Sequence, residues 1–390
     1  MRGRWRHRVD VWIFQSYYAR ATDLAVYRIL YSSYVLLTYV PAATWLPHTP
    51  RAFFSPPLSL AALFTGVPSP FLLLALNTLL ACCLSLLLLG WYTRAASVGT
   101  SLALILINSW AYSLGKIDHD ILLVMTPAVL TGSGWGDALS FDVRRRPTPP
   151  QAAPQGSWSL ALLALLIAVA MCTAGWAKAS TGWLNPATRA TYAHLLTNYF
   201  VTGRQTWAAE RSFQINALWL WKAADWSTVA LELGFLYAMF RPRTMRVFTA
   251  LACLFHCGVW LLFGIVFASN VVTYGAFLSY GNRFLVQRFR EIAGRRFLCL
   301  GQLPAWALLG VTSLLPLTAL VVGRPLGACL GLPLDRLVIL SGAVIGSGYL
   351  IRRVHKIVRR ALPLRSAGDR RAARSGSNRS ETRESLLSRD

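Results

Sequence analysis

From Trp158 to Ala177 the chain carries no charged residue, and then Lys178 arrives. An α-helix needs about 20 apolar residues to cross the hydrocarbon core of a bilayer, and this run is of that length. Lys178 therefore falls on the last turn of a membrane-spanning helix. Ala174 and Gly175 precede it, and Trp176 and Trp183 bracket it. A lysine at that depth is costly unless it snorkels to the interface, pairs with an anion, or does chemistry. Similar apolar runs recur near 23–42, 70–90, 96–114, 119–133, 226–240, 247–264, 266–281, 303–323 and 335–351. The fourth in chain order, 119–133, is short and opens with charge, which suits a tilted or half re-entrant segment. With 55% hydrophobic and 14% charged residues and a mean hydropathy of +0.45, a soluble domain is excluded. The expected fold class is all-α: a polytopic integral membrane helical bundle of about nine to ten spans.

The formal net charge is +24, but the basic residues gather in loops and in the tail. A nucleic-acid-binding module would instead spread them over one soluble face. With the N-terminus in the cytoplasm, roughly three-quarters of all Lys and Arg fall in inner segments, as the positive-inside rule requires. Both termini are then cytoplasmic, the protein is a multi-pass cell-membrane protein, and Lys178 lies on the extracytoplasmic side. The chain divides into a basic N-terminus (1–22), a main membrane domain (23–282), a basic loop (283–302), two further spans (303–351) and a basic disordered tail (352–390). The first apolar run carries Asp23 and Arg28 and no small-residue cleavage site follows, so it does not read as a cleavable signal. The Pro-rich stretch 143–157 reads as a linker. Residues 188–200 place apolar side chains at helical spacing around Arg189, His194 and Asn198, the pattern of an amphipathic helix on the outer face. Five of the seven cysteines sit inside apolar runs as small fillers, and no disulfide framework is suggested.

Ionisable residues inside such a bundle are candidates for function. Lys178 reads either as a snorkelling anchor or as a general base, the latter requiring desolvation or a cationic neighbour to free its amine. Asp118 and His119 open the fourth span on the same outer side. His119 can relay or orient a proton, or simply face interfacial water while Asp118 caps the helix. Glu232 and His256 lie mid-run and are either site residues or a buried pair joining two helices. Arg28, in the first span, offers a further partner for Glu232. Cys253, His256 and Cys257 share a helix face, but one turn supplies too few ligands, and no metal is expected. Gly-rich phosphate loops, G-x-S-x-G, H-E-x-x-H and CxxC are not found.

Several pieces, in order, resemble the HTTM membrane domain, the module shared by vitamin K-dependent gamma-carboxylases and many bacterial membrane proteins. Asp23-Leu-Ala-Val-Tyr-Arg28 resembles its opening helix, Arg51-Ala-Phe-Phe-Ser55 the following loop, and Gly90-Trp-Tyr-Thr-Arg94 the turn after the second helix. His119 through Ser140-Phe-Asp142 is similar to the family's His-containing helix and its closing S-x-D. Ala174-Gly175-Trp-Ala-Lys178 looks like the carboxylase segment with the catalytic lysine. Glu232-Leu-Gly and Phe255-His256-Cys257 resemble later core helices. The resemblance covers roughly residues 15–290.

That resemblance implies a mechanism. In the carboxylases the lysine deprotonates a reduced naphthoquinone, vitamin K hydroquinone, and reaction with oxygen yields a base strong enough to remove a glutamate γ-proton before carbon dioxide adds. Carried over, Lys178 is the base, His119 its support, and a reduced naphthoquinone of the vitamin K or menaquinone type the cofactor. Asp118, Glu232, His256 and Arg28 form the supporting polar cluster. The chain departs from the carboxylases after the membrane domain, where they continue into a large lumenal domain and this chain has a basic loop and two more spans. Asn185-Pro186 also differs from the pattern after the lysine. The bacterial relatives include a membrane protein needed to mature a secreted peptide toxin, so membrane lipid and a secreted peptide or partner membrane protein are the expected partners, with no nucleic acid. The alternatives kept beside the enzyme are a non-catalytic maturation or export factor and, more distantly, a transporter, against which no inverted repeat is seen.

Overall fold

The computed structural model describes residues 2–57, 59–115, 117–145, 155–156, 158–280 and 305–361. The basic loop expected over 283–302, most of the linker 143–157 and the tail beyond Ala361 lie outside the described residues. The chain forms two compact units, Met1–Gly346 and Ser347–Asp390.

The first unit is a helical bundle. Its helices are α1 (Arg2–Gln15), α2 (Ala21–Thr38), α3 (Pro70–Leu89), α4 (Thr93–Ala111), α5 (Ile121–Leu130), α6 (Phe141–Arg144) and α7 (Trp158–Ser180). There follow α8 (Ala190–Leu196), α9 (Trp207–Ser212), α10 (Leu218–Ala238), α11 (Pro242–Phe263), α12 (Ala268–Tyr274), α13 (Ala305–Val322), α14 (Leu326–Cys329) and α15 (Leu334–Ala361), the last continuing into the second unit. Two-residue strands β1 (Tyr18–Ala19) and β2 (Gln155–Gly156) pair antiparallel, Tyr18 opposite Gly156.

Among the described residues, five helices are long and apolar enough to cross a membrane: α3, α4 with the turn that extends it to Leu114, α7, α11 and α15. The other expected spans differ in kind. Helices α2 and α10 are long but carry buried charge: Asp23 and Arg28 in α2, and Lys222, Asp225 and Glu232 in α10. Helix α5 has 10 residues, which at 1.5 Å per residue is about 15 Å, half a crossing. The eighth expected span, 266–281, is a correction: α12 has only 7 residues and ends in a short 3₁₀ turn. The segment 188–200 is helical, as expected, from Ala190 to Val201. It forms the short α8 and then a wide turn over Thr197–Val201. Its Leu195 is buried with Ala209 and Trp221 in a small core of its own rather than turned to lipid.

The sequence punctuates the long helices. Ser69 caps α3, its Oγ accepting from Leu72 N at 3.2 Å, and Pro70 follows at the first helical position. Gly90 ends it with φ +67°. Within α4, Ser97, Ser101 and Ser109 each donate to the carbonyl four residues back, so their hydroxyls are satisfied in apolar surroundings. The main core gathers Tyr27, Tyr31, Leu80, Leu84, Leu104, Ile107, Leu123, Ala164, Ile167 and Phe235, all inaccessible or nearly so.

Contacts between helix termini define two ends of this unit. At one end Asn77, two turns into α3, brackets Ala42 beyond α2, and Asp120 before α5 accepts from Tyr39 and Tyr112 at 2.8 and 2.6 Å. Lys178 and the N-terminal turns of α10 lie at this end. At the other, Arg28 near the start of α2 reaches the loop after α5, and Tyr17 and Trp12 donate to Met239 O at the end of α10 (2.7 and 3.0 Å).

The second unit, in its described part, is the helical stretch Ser347–Ala361, exposed from Ile351 to Arg360, so the first ten residues of the tail expected to be disordered from 352 are helix. Arg352, Arg353, Lys356, Arg359 and Arg360 alternate there with Ile351, Val354 and Ile357.

Candidate active site

Helix α7 packs along α10 more extensively than any other helix pair, and Gly175 sets how closely. A Cβ at Gly175 would lie 2.9 Å from Glu232 Cβ and 3.1 Å from the Leu233 backbone nitrogen. The absent side chain lets the two backbones approach, as small residues do between membrane helices. One turn later Lys178 faces Glu232. Its Nζ donates to both carboxylate oxygens, at 2.7 and 2.8 Å. The Glu232 side chain is 5% exposed and that of Lys178 25%. Each charge thus answers the other where neither alone would be tolerated. The chain then turns through Gly182, and the Trp183 ring comes to lie over Lys178, 5.6 Å from Nζ to the ring centroid. The cation is held between a carboxylate and an aromatic face.

Behind Trp183 lies a second, deeper ion pair that sequence reasoning passed over. Lys222 donates to Asp225 Oδ2 at 2.7 Å, to Trp183 O at 3.1 Å and to Thr188 Oγ1 at 3.4 Å. Asp225 also accepts from Ala190 N, Thr191 N and Thr191 Oγ1, which caps α8. These side chains are 7% and 0% exposed. The signal was present as Lys222-x-x-Asp225, opposite charges three apart in a Trp-rich apolar stretch.

The two histidines pack against one ring. His119 stands edge-on to Phe267, centroids 4.5 Å apart, and His256 stacks on Phe267 at 4.8 Å. His256 is buried; its Nε2 lies 3.1 Å from Tyr274 Oη, and its Nδ1 has no hydrogen-bond partner. His119 is half exposed, and its backbone N–H donates to Asp118 Oδ1 at 2.7 Å. Asp118 does not cap α5. The cap position belongs to Asp120, whose carboxylate is taken by the two tyrosines. Tyr274 stacks on Phe235, one turn along α10 from Glu232. Lys178, Glu232, His256 and His119 therefore share one end of the bundle, linked through Tyr274 and Phe267.

Arg28 does not join them. It donates to Trp135 O at 3.2 Å and Leu139 O at 2.6 Å, at the opposite end. The partners offered for Glu232 by the sequence, Arg28 and His256, are both engaged elsewhere, and Lys178 takes their place. Among the described residues no group of three His, Cys, Asp or Glu is placed to hold a metal.

The opposite end explains other sequence pieces. Asp142 accepts from Tyr92 N, Thr93 N and Thr93 Oγ1 at 2.8, 2.8 and 2.6 Å, and so caps α4 from a distance. Its own N–H donates to Gly90 O at 3.0 Å. A Cβ on Gly90 would collide with Ser140 Cβ and with the Arg28 guanidinium. Arg28, Gly90, Thr93, Ser140 and Asp142 thus form one structural node. A family model for the HTTM domain matches residues 18–279. The chain belongs to the HTTM family. Searches of curated proteins and of solved structures found no match. The HTTM match contains both the node and the Lys178 cluster, and it ends before α13, α14 and α15. As an HTTM chain with five helices among its described residues apolar enough to span a bilayer, it is a membrane protein.

Proposed function

We propose that this HTTM membrane protein is a membrane enzyme related to the gamma-carboxylases, in which Lys178 is the base toward a reduced naphthoquinone. The observation that carries the reading is the bidentate Lys178–Glu232 pair beneath Trp183. A snorkelling anchor would extend its ammonium to water, whereas this one turns back to a buried carboxylate. An ammonium is no base, so the amine must first lose a proton. Glu232 is placed to take it: the proton passes from Nζ to a carboxylate oxygen, leaving a neutral amine and a carboxylic acid with no change in total charge. The Nζ lone pair is then available to an acidic hydroxyl presented to it.

The residues fit an amphipathic aromatic ligand. Trp183 and Phe267 supply aromatic rings beside the pair, half-exposed His119 an imidazole, and the unpartnered His256 Nδ1 a buried polar atom among rings. When bound, a reduced quinone supplies the acidic hydroxyl and the reducing equivalents for reaction with oxygen. Lys178 and Glu232 move the proton, His119 orients the polar edge, and the aromatic faces exclude water. On the charge argument we also assign the Lys178 end to the extracytoplasmic face, because Arg94, Arg144, Arg145, Arg241, Arg243 and Arg246 lie toward the other end.

The test is quenching of tryptophan fluorescence by a soluble naphthoquinone in purified wild type and in Lys178→Met/Glu232→Gln, which removes both charges together. Saturable quenching in the wild type, weakened roughly tenfold or more in the variant, supports the reading. Identical, non-saturating partitioning in both overturns it.

A further inference from the structure

We infer that Lys222 and Asp225 are positioning residues for Lys178, acting through Trp183. The inference deepens the reading of Lys178 as the reacting amine. Two charges buried this fully are expensive to desolvate, and a pair of apolar side chains would fill the same space more cheaply. Their hydrogen bonds show what they hold. The three N–H donors of Lys222 go to Asp225, Trp183 O and Thr188 Oγ1. Asp225 alone already caps α8 through Ala190 and Thr191, so the cap does not require a lysine. What Lys222 adds is a grip on the turn that carries Trp183.

Thr188 Oγ1 already holds the turn at Gly182 O, at 2.6 Å, while Lys222 holds it at the Trp183 carbonyl. The turn leaves α7 through Gly182 at φ +88°, and Trp183 N–H returns to Lys178 O only at 3.4 Å. The indole is then confined on two sides. Its ring lies 5.5 Å from that of His194, on the α8 that Asp225 anchors, and its carbonyl is held by Lys222. The remaining ring face covers Lys178 Nζ. Loss of Lys222 frees the carbonyl, lets the indole swing away and opens Lys178 to solvent. A pair that merely tied α8 to α10 would leave Lys178 untouched.

The reactivity of the amine distinguishes these. The chain has four lysines, Lys116, Lys178, Lys222 and Lys356, so trace acetylation of the full-length protein in nanodiscs resolves by peptide mass spectrometry. Exposed Lys356 is the internal reference. In Lys222→Met, acetylation of Lys178 relative to Lys356 is expected to rise roughly three- to tenfold, the scale of a lost cation–π contact. Trp183→Leu should give the same rise and Trp183→Phe, which keeps a ring, little. Lys222→Met combined with Trp183→Leu should exceed neither single change. An unchanged Lys178 rate in folded Lys222→Met overturns the inference. Should that variant not fold, Asp225→Asn keeps an acceptor for α8 while weakening the hold on Lys222, and an unchanged Lys178 rate there overturns it equally. The labelling needs no turnover. A Lys222-dependent rate without naphthoquinone binding would keep the positioning role and remove the enzymatic reading; quinone binding with a Lys222-independent rate would do the reverse.

Discussion

A carboxylate in the middle of an apolar helix demands a cation, and at Glu232 that cation is Lys178. The dependence is mutual but unequal, because Glu232 is the more deeply buried partner. Lys178→Met should therefore destabilise the protein by about 2–4 kcal/mol, since it strands a carboxylate. Adding Glu232→Gln should return most of that loss, so the double variant unfolds at a higher temperature than Lys178→Met alone. Thermal unfolding in one detergent compares them directly. A double variant less stable than the single would mean that the two residues do not act as a pair. Lys178 was legible in the sequence because it breaks an uncharged run. Its partner was not, since Glu232, His256 and Arg28 all qualify as buried polar residues and pairing between helices has no local signature. Lys222 and Asp225 were likewise overlooked, although Asp225 is inaccessible and Lys222 nearly as buried as Glu232.

The two boundaries of α3 were legible, whereas α10 begins eight residues before the expected 226 and α15 runs ten beyond the expected 351. Ser69-Pro70 and Gly90 mark α3 by backbone chemistry that acts within a few residues. The short elements were harder. Residues 266–281 are apolar enough to look like a crossing, but α12 stops after 7 residues and passes into a 3₁₀ turn. The half-length α5 and α12 pack together, with His119 just before the one and Phe267 just before the other. The register between α7 and α10 depends on one missing side chain. Gly175→Val would drive its branches into Glu232 and the Leu233 backbone, which are already within about 3 Å of a Cβ position. We expect a loss of about 1–3 kcal/mol, as overpacking a tight contact costs. Acetylation of Lys178 should rise with it, because the ion pair lengthens as the helices part. Gly175→Val with unaltered Lys178 reactivity would show that the close approach is not what sets the pair.

At the scale of the molecule, the two ends divide the work. One holds the Arg28–Gly90–Asp142 node, whose bonds go to backbone atoms and helix termini. The other holds Lys178 and its neighbours. The assignment of sides predicts that Arg94→Cys reacts with a membrane-impermeant maleimide only in opened vesicles. Ser180→Cys, by the same argument, should react in intact cells. The reverse pattern would put Lys178 in the cytoplasm and remove the agreement between charge bias and site. Both positions are exposed on the protein surface, so a difference in labelling reads sidedness rather than burial.

Composition and apolar run length were enough to establish a helical membrane protein, because the bilayer leaves a long apolar segment little but a helix. The order of short motifs was enough for the HTTM family, and the charge bias for a proposed orientation. All are properties of residues near one another in the chain or of averages over it. Which buried charge meets which was decided only in three dimensions. Lys178 and Glu232 lie 54 residues apart, and Lys222 and Trp183 39 apart. They meet because Gly175 admits α10 against α7 and because the turn at Gly182 sends Trp183 back over the lysine. An ion pair in a low-dielectric interior is selected by geometry at a few ångströms, and that geometry exists only once the helices have packed.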